Sequence, residues 1–157
     1  MLNLNWNLVG GRSTLKRYQC PDLLNQEPMR TQEKVLKWAV DIFGPIAKNR
    51  DERAARLVEE AIEIAQVEEL PMEVIQRILE RVYERPAGFL TQEIGGLMIT
   101  LEALAENTGW DVGVCADDEW HRVQSKTPEW WKNKHAEKVA AGTADLTPVC
   151  QGERTDG

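Results

Sequence analysis

Apolar residues recur along this chain at three- and four-residue intervals, and nowhere do they alternate as a half-buried strand requires. Val35, Leu36, Trp38, Ala39, Ile42 and Phe43 form one such stripe. Thr31 precedes it as a natural N-cap and Gly44 follows as a natural stop, so the pattern predicts a first helix there. Ala54, Leu57, Val58, Ala61, Ile62 and Ala65 give a second stripe, on a helix predicted from near Asp51 to about Leu70. Pro71 suits the first turn of a third helix, which Pro86 and Gly88 close. A fourth helix is expected from Thr91 to Asn107, with Gly109 beyond it as a stop. Asp117 to about Ala140 reads as one or two further helices, interrupted near Thr127 and Pro128. Short links between amphipathic helices predict an all-α fold, an antiparallel helical bundle. Residues 1–30 read as an irregular arm, 31–141 as the helical domain and 142–157 as a loose tail.

The fourth helix differs from the others. It is apolar almost all round, through Leu97, Met98, Ile99, Leu101, Ala103, Leu104 and Ala105, so it is expected at the centre of the bundle. Glu93, in its first turn, shares a side with Leu97, Thr100 and Leu104 and is expected to face the interior or a cleft. Its place near a helix N-terminus is also what the helix dipole favours, which accounts for the position along the helix but not for the face. Gly95 and Gly96 each cost about 1 kcal/mol relative to Ala in a helix, so a close approach by another backbone or a ligand is expected there.

Glu60 and Glu63 lie three residues apart on the second helix and therefore on one face. A solvated surface, with Arg53 and Arg56 offsetting the charge, is the plain explanation of that pair. Packing the second helix on the fourth would instead gather Glu60, Glu63 and Glu93. Three oxygen donors with room for water suit Mg²⁺ or Mn²⁺ better than zinc.

Composition narrows the partners. The chain has 157 residues, 42% of them hydrophobic and 29% charged, which fits a single soluble domain. No apolar run approaches the roughly 20 residues of a membrane span. The start carries no secretory-type apolar run, so a cytoplasmic location is expected. Cys20, Cys115 and Cys150 lie far apart without metal-ligand spacing and read as free thiols. A net charge of −7 argues against a nucleic-acid duplex as partner. An acidic protein can nevertheless bind a nucleotide when a divalent cation stands between carboxylates and phosphates.

With those residues in view, the chain resembles the MazG-like all-alpha nucleoside triphosphate pyrophosphohydrolases. Their pattern is EExxE on one helix and ExxD at the start of another. RAARLVEEAIEIAQ (53–66) matches the first half, with Glu60 and Glu63 at the ExxE positions. QEIGGLMITLEALAENTGWDV (92–112) matches the second, with Glu93 at its Glu and Gly96 where the family has Asp. The resemblance covers roughly residues 35–140.

It implies Mg²⁺- or Mn²⁺-dependent hydrolysis of a (d)NTP between the α and β phosphates, releasing the monophosphate and pyrophosphate. Glu60, Glu63 and Glu93 would hold metal, with water, Glu59 or a substrate phosphate replacing the absent Asp. Assembly as a homodimer or homotetramer is also implied. The QEIGG variant is similar to that of a phage-associated, MazZ-like branch that hydrolyses dGTP. Removal of noncanonical or excess dNTPs is the alternative within the family.

Glu59 is the candidate base, and a simple surface Glu is the competing reading. Arg53, Arg56, Lys126 and Lys134 are candidate phosphate contacts, although such cations more often belong to solvated faces. Trp38 and Phe43 are candidates for the wall of a base pocket, with core packing the plainer role for Phe43. Trp130 and Trp131 are expected at a subunit interface or bundle end. His121 and His135, without ligand spacing, are expected on the surface. From a different class, a catalytically silent helical interaction module also fits the composition.

Overall fold

The computed structural model describes residues 30–146. Most of the expected N-terminal arm, the end of the tail, Cys20 and Cys150 lie outside the described residues. The described chain is all-α, with six α-helices and no strand. These are α1 (Gln32–Phe43), α2 (Arg50–Val67), α3 (Met72–Tyr83), α4 (Leu90–Thr108), α5 (Val112–Ser125) and α6 (Pro128–Ala140). A short 3₁₀ turn, Gly44–Lys48, joins α1 to α2.

Local chemistry sets most of the boundaries. The Thr31 side chain accepts the Lys34 N–H at 3.2 Å and starts α1. Gly44 ends it with φ +76°, a conformation that favours glycine. The Asn49 side chain accepts from the N–H groups of Asp51 and Glu52 at 2.8 and 3.2 Å, capping α2. Gly109, left-handed at φ +81°, closes α4. Thr127 caps α6, with Pro128 in the first helical position. α5 begins at Val112, earlier than the expected Asp117, because Asp111 accepts the Val114 N–H at 2.9 Å.

The core forms at one end of the molecule. Trp38 of α1 stands edge-on to Trp120 of α5 and to Trp131 of α6, at centroid separations of 6.1 and 5.3 Å. Ala39, Ala47, Trp120 and Ala144 are buried around this aromatic cluster. Large rings gain both burial and edge-to-face contact, which concentrates the packing here.

α4 is a correction to the expected arrangement. It meets α5, yet none of its residues is buried, and Ile94, Leu97, Met98 and Ile99 stay exposed. A helix that is apolar almost all round is covered only when neighbours stand on every side, and the described residues do not provide them. α3 likewise buries nothing and makes no comparable contact with another element among the described residues. Among the described residues, α3 and α4 are therefore left largely uncovered.

After α6 the chain turns back. Gly142, at φ +72°, turns the backbone, Ala144 is buried and Asp145 meets His135. Within residues 142–146, Ala144 is the buried residue, and Gly142, Thr143 and Asp145 stay exposed.

Candidate functional site

A cavity of about 560 Å³ opens where α2 faces α5 and α6. The helical repeat of α2 turns Glu52, Arg53, Arg56, Glu59, Glu60 and Glu63 toward it. Aromatic rings form another wall, from Trp38 and Phe43 of α1 and from Trp130 and Trp131 of α6. Arg122, Lys134 and Lys138 add positive charge around the opening. Carboxylates, cations and flat apolar rings thus share one concave surface, as a charged aromatic ligand requires.

The three glutamates of the acidic run are sorted by their neighbours. Glu59 is paired: Arg56 donates to its carboxylate, and Lys138 of α6 stands 2.7 Å from the same oxygen. Glu60 and Glu63 make no hydrogen bond or ion pair among the described residues. The pKa of Glu60 is raised, chiefly because part of its solvation is lost at the cavity wall and then because Glu63 stands near. Lys138 opposes that shift, while Glu59 and Glu119 add to it. Two adjacent carboxylates without a directly paired cation favour one beside them. Glu59, the candidate base, ties α2 to α6.

Beneath this surface lies a residue that the acidic pattern did not single out. Glu52 is only 1% exposed, and neither carboxylate oxygen has a hydrogen-bond partner. Arg56 is its salt-bridge partner among the described residues, with Nε 3.6 Å away, and Arg53 also feels its charge. The signal available in the sequence was its place in the first turn of α2, which a helix dipole explains equally well.

The arginines also separate. Arg56, a candidate phosphate contact, pairs with Glu52 and Glu59 and donates to the Thr143 carbonyl. Arg53 makes no hydrogen bond or ion pair among the described residues, and its pKa is lowered by burial. A partly desolvated guanidinium lining a cavity is suited to an anion. Arg122 is held bidentately by Glu119 at 2.6 Å, which raises its pKa. Lys134 pairs with Glu137 at 2.7 Å.

Other expected residues fall differently. Lys126 does not line the cavity and stands 5.8 Å from the centre of the Trp130 ring. Trp130 and Trp131, expected at an interface or bundle end, line the cavity, and the Trp131 indole donates to the Val123 carbonyl at 3.1 Å. His135, expected to be unpartnered at the surface, lies against Phe43 and 3.0 Å from Asp145.

Glu93 does not join Glu60 and Glu63. It is exposed, folds back against Gly88 and does not line the cavity. Among the described residues no three His, Cys, Asp or Glu side chains are arranged to hold a metal ion. The close approach expected at Gly95 and Gly96 is also missing, since a Cβ added at either would meet nothing within 4 Å. All three departures share one cause: α4 does not pack on α2 within the chain.

No helix among the described residues is long and apolar enough to cross a membrane. Compared with known proteins, the chain matches no family model, no curated protein and no solved structure.

Proposed function

We propose that this protein is a metal-dependent nucleoside triphosphate pyrophosphohydrolase, cleaving a (d)NTP between the α and β phosphates. The observation that carries this reading is the unpaired Glu60 and Glu63 beside an uncommitted Arg53 in an aromatic-walled cavity. Trp38, Trp130 and Trp131 offer flat surfaces for a base, while Arg53 can donate to phosphate oxygens. Mg²⁺ is commonly held by one or two carboxylates together with substrate phosphates, so a preformed cage is not required. Bound Mg²⁺ or Mn²⁺ would supply neutralisation of phosphate charge and acidification of water. Glu60 and Glu63 would hold the ion, and the ring wall would exclude solvent from the base. Among bases, guanine is the proposed preference, with general removal of noncanonical dNTPs as the alternative.

The test is incubation with each dNTP and NTP plus Mg²⁺, followed by product identification. Pyrophosphate with a monophosphate is expected. Orthophosphate instead indicates a different phosphohydrolase, and no product with any of them removes the enzymatic reading. The wide apolar surface of α3 and α4 supports a second reading, a non-catalytic interaction module. A module of that kind gains no thermal stability from Mn²⁺ plus nucleotide.

A further inference from the structure

Among the described residues, the cavity wall holds a histidine that the chemistry proposed for Glu60 and Glu63 does not use. Trp131, Lys134, His135 and Lys138 recur at helical spacing, and one face of α6 brings all four to the cavity. Two contacts set the direction of that face against α2. Lys138 meets Glu59, and the Thr143 carbonyl beyond it accepts from Arg56, so later residues of this segment meet earlier residues of α2. His135, one turn before Lys138, therefore lies toward the end of the wall where Glu60 and Glu63 follow Glu59.

The imidazole is held in one orientation. Its Nε2 stands 3.0 Å from Asp145 Oδ1, and Phe43 packs on the ring at a centroid separation of 5.3 Å. A carboxylate only accepts, so Nε2 carries the proton and Nδ1 is left as an acceptor, without a partner among the described residues. Asp145 sits at φ +52°, a left-handed conformation uncommon for a residue with a Cβ. Its segment is fixed by buried Ala144 and by Arg56 on the Thr143 carbonyl. The carboxylates along the wall are committed in other ways. Glu59 is held by Arg56 and Lys138, Glu119 is held by Arg122, and the Glu52 oxygens are buried. Glu60 and Glu63 are the proposed metal holders.

We propose that His135, oriented by Asp145, is the general base of this site. Its Nδ1 takes a proton from the attacking water as the water oxygen bonds to the α-phosphorus. The bond from that phosphorus to the α–β bridging oxygen breaks, and this oxygen leaves with the electron pair as part of pyrophosphate. Asp145 stabilises the imidazolium, which then returns its proton to solvent. Asp145 is a positioning residue, since it acts through the ring. The assignment rests on the pyrophosphohydrolase reading and adds the group that activates water, a role for which the doubly paired Glu59 is poorly suited.

The experiment uses the full-length protein. In its metal-free state at about pH 8.5, above the ordinary imidazole range, nitrogen–proton correlation spectra should show His135 protonated at Nε2. Protonation at Nδ1 overturns the assignment whatever the activity. His135→Ala should lower kcat for pyrophosphate release by about 10²–10⁴-fold, with KM and melting temperature little changed. Added imidazole should restore part of that rate. A rate close to wild type overturns the proposal, and so does a slow variant that imidazole does not speed, because the ring then serves packing alone. Asp145→Asn, on an exposed turn, should lower kcat by about tenfold or more, since an amide can donate to Nε2 and leave the proton on Nδ1. If His135→Ala folds poorly, this second variant decides, and a wild-type kcat in it overturns the proposal. A wild type that releases no pyrophosphate from any nucleotide removes the pyrophosphohydrolase reading and the base with it. An active wild type with equally active variants removes the base alone.

Discussion

Lys138 of α6 donates to Glu59 of α2 at 2.7 Å, across 79 positions of sequence. Arg56 holds the same carboxylate and also donates to the Thr143 carbonyl, so α2, α6 and the returning chain are fastened at one point. The adjacent Glu60 and Glu63 are left without such partners. Pairing one glutamate of the run therefore decides which two are available for other chemistry.

Glu59→Gln is expected to lower stability by about 1 kcal/mol, since the pair is partly exposed and solvent screens it. Turnover should stay within a few-fold of wild type, whereas loss of a general base costs about 10²–10⁴-fold. Urea unfolding and initial rates separate the two. A thousandfold loss with unchanged stability would restore Glu59 as the base.

The raised pKa of Glu60 fixes the sign of its effect on stability. The folded protein retains the Glu60 proton to higher pH than the unfolded chain does. Between the ordinary carboxylate value and the raised one, the native state binds more protons, so stability falls as pH rises. The penalty is complete at neutral pH and absent below the ordinary value. Glu60→Gln should thus stabilise the metal-free protein at pH 7, by a few tenths of about 1 kcal/mol given its exposure. The gain should vanish at about pH 4, where glutamates are protonated in both states. Thermal melts across that range read this; a gain that grows on acidification contradicts the shift.

Arg53→Ala should weaken nucleoside triphosphate binding by about 10- to 100-fold, as expected for loss of one charge-assisted contact worth about 1.5–3 kcal/mol. Far-ultraviolet circular dichroism should not change. Titration of the tryptophan fluorescence with a non-hydrolysable triphosphate measures the affinity, because Trp38, Trp130 and Trp131 line the same cavity. Equal affinity in the variant would place the phosphates elsewhere.

Glu52→Ala is expected to destabilise by about 3 kcal/mol, because Arg56 loses a buried counter-charge and a cavity is left. Arg56→Ala should cost a similar amount and the double variant much less than the sum, since both act on one pair. Additive losses in chemical unfolding would show that Glu52 and Arg56 do not interact.

Much of the local structure was legible from the residues alone. Thr31, Gly44, Gly109, Thr127 and Pro128 mark the helix ends because capping is a short-range contest between side chain and backbone. The Asp111 cap was missed because Val112, Gly113 and Val114 after it resemble a linker. The alignment of Glu60 and Glu63 was also legible, being a matter of 3.6-residue periodicity. Trp38 fell where an aromatic wall was expected, whereas Lys126 did not reach the cavity.

What a neighbour does to a side chain was not legible. Nothing in the order of residues distinguishes Glu59, fastened by Lys138, from Glu60, which is not. Nor does it show that Glu52 is the buried acid, or that Arg56 is committed while Arg53 is not. These depend on residues far apart in the chain, and their energies change steeply over a few ångströms.

The all-helical fold, its caps and the acidic face of α2 were set by the sequence itself, because hydrogen bonds within four residues and a regular apolar repeat decide them. Which helices meet was settled only in three dimensions. α1, α5 and α6 share an aromatic cluster, while α4, apolar on every side, has no preferred face to direct it toward α2. A uniformly apolar surface specifies burial but not the partner that provides it.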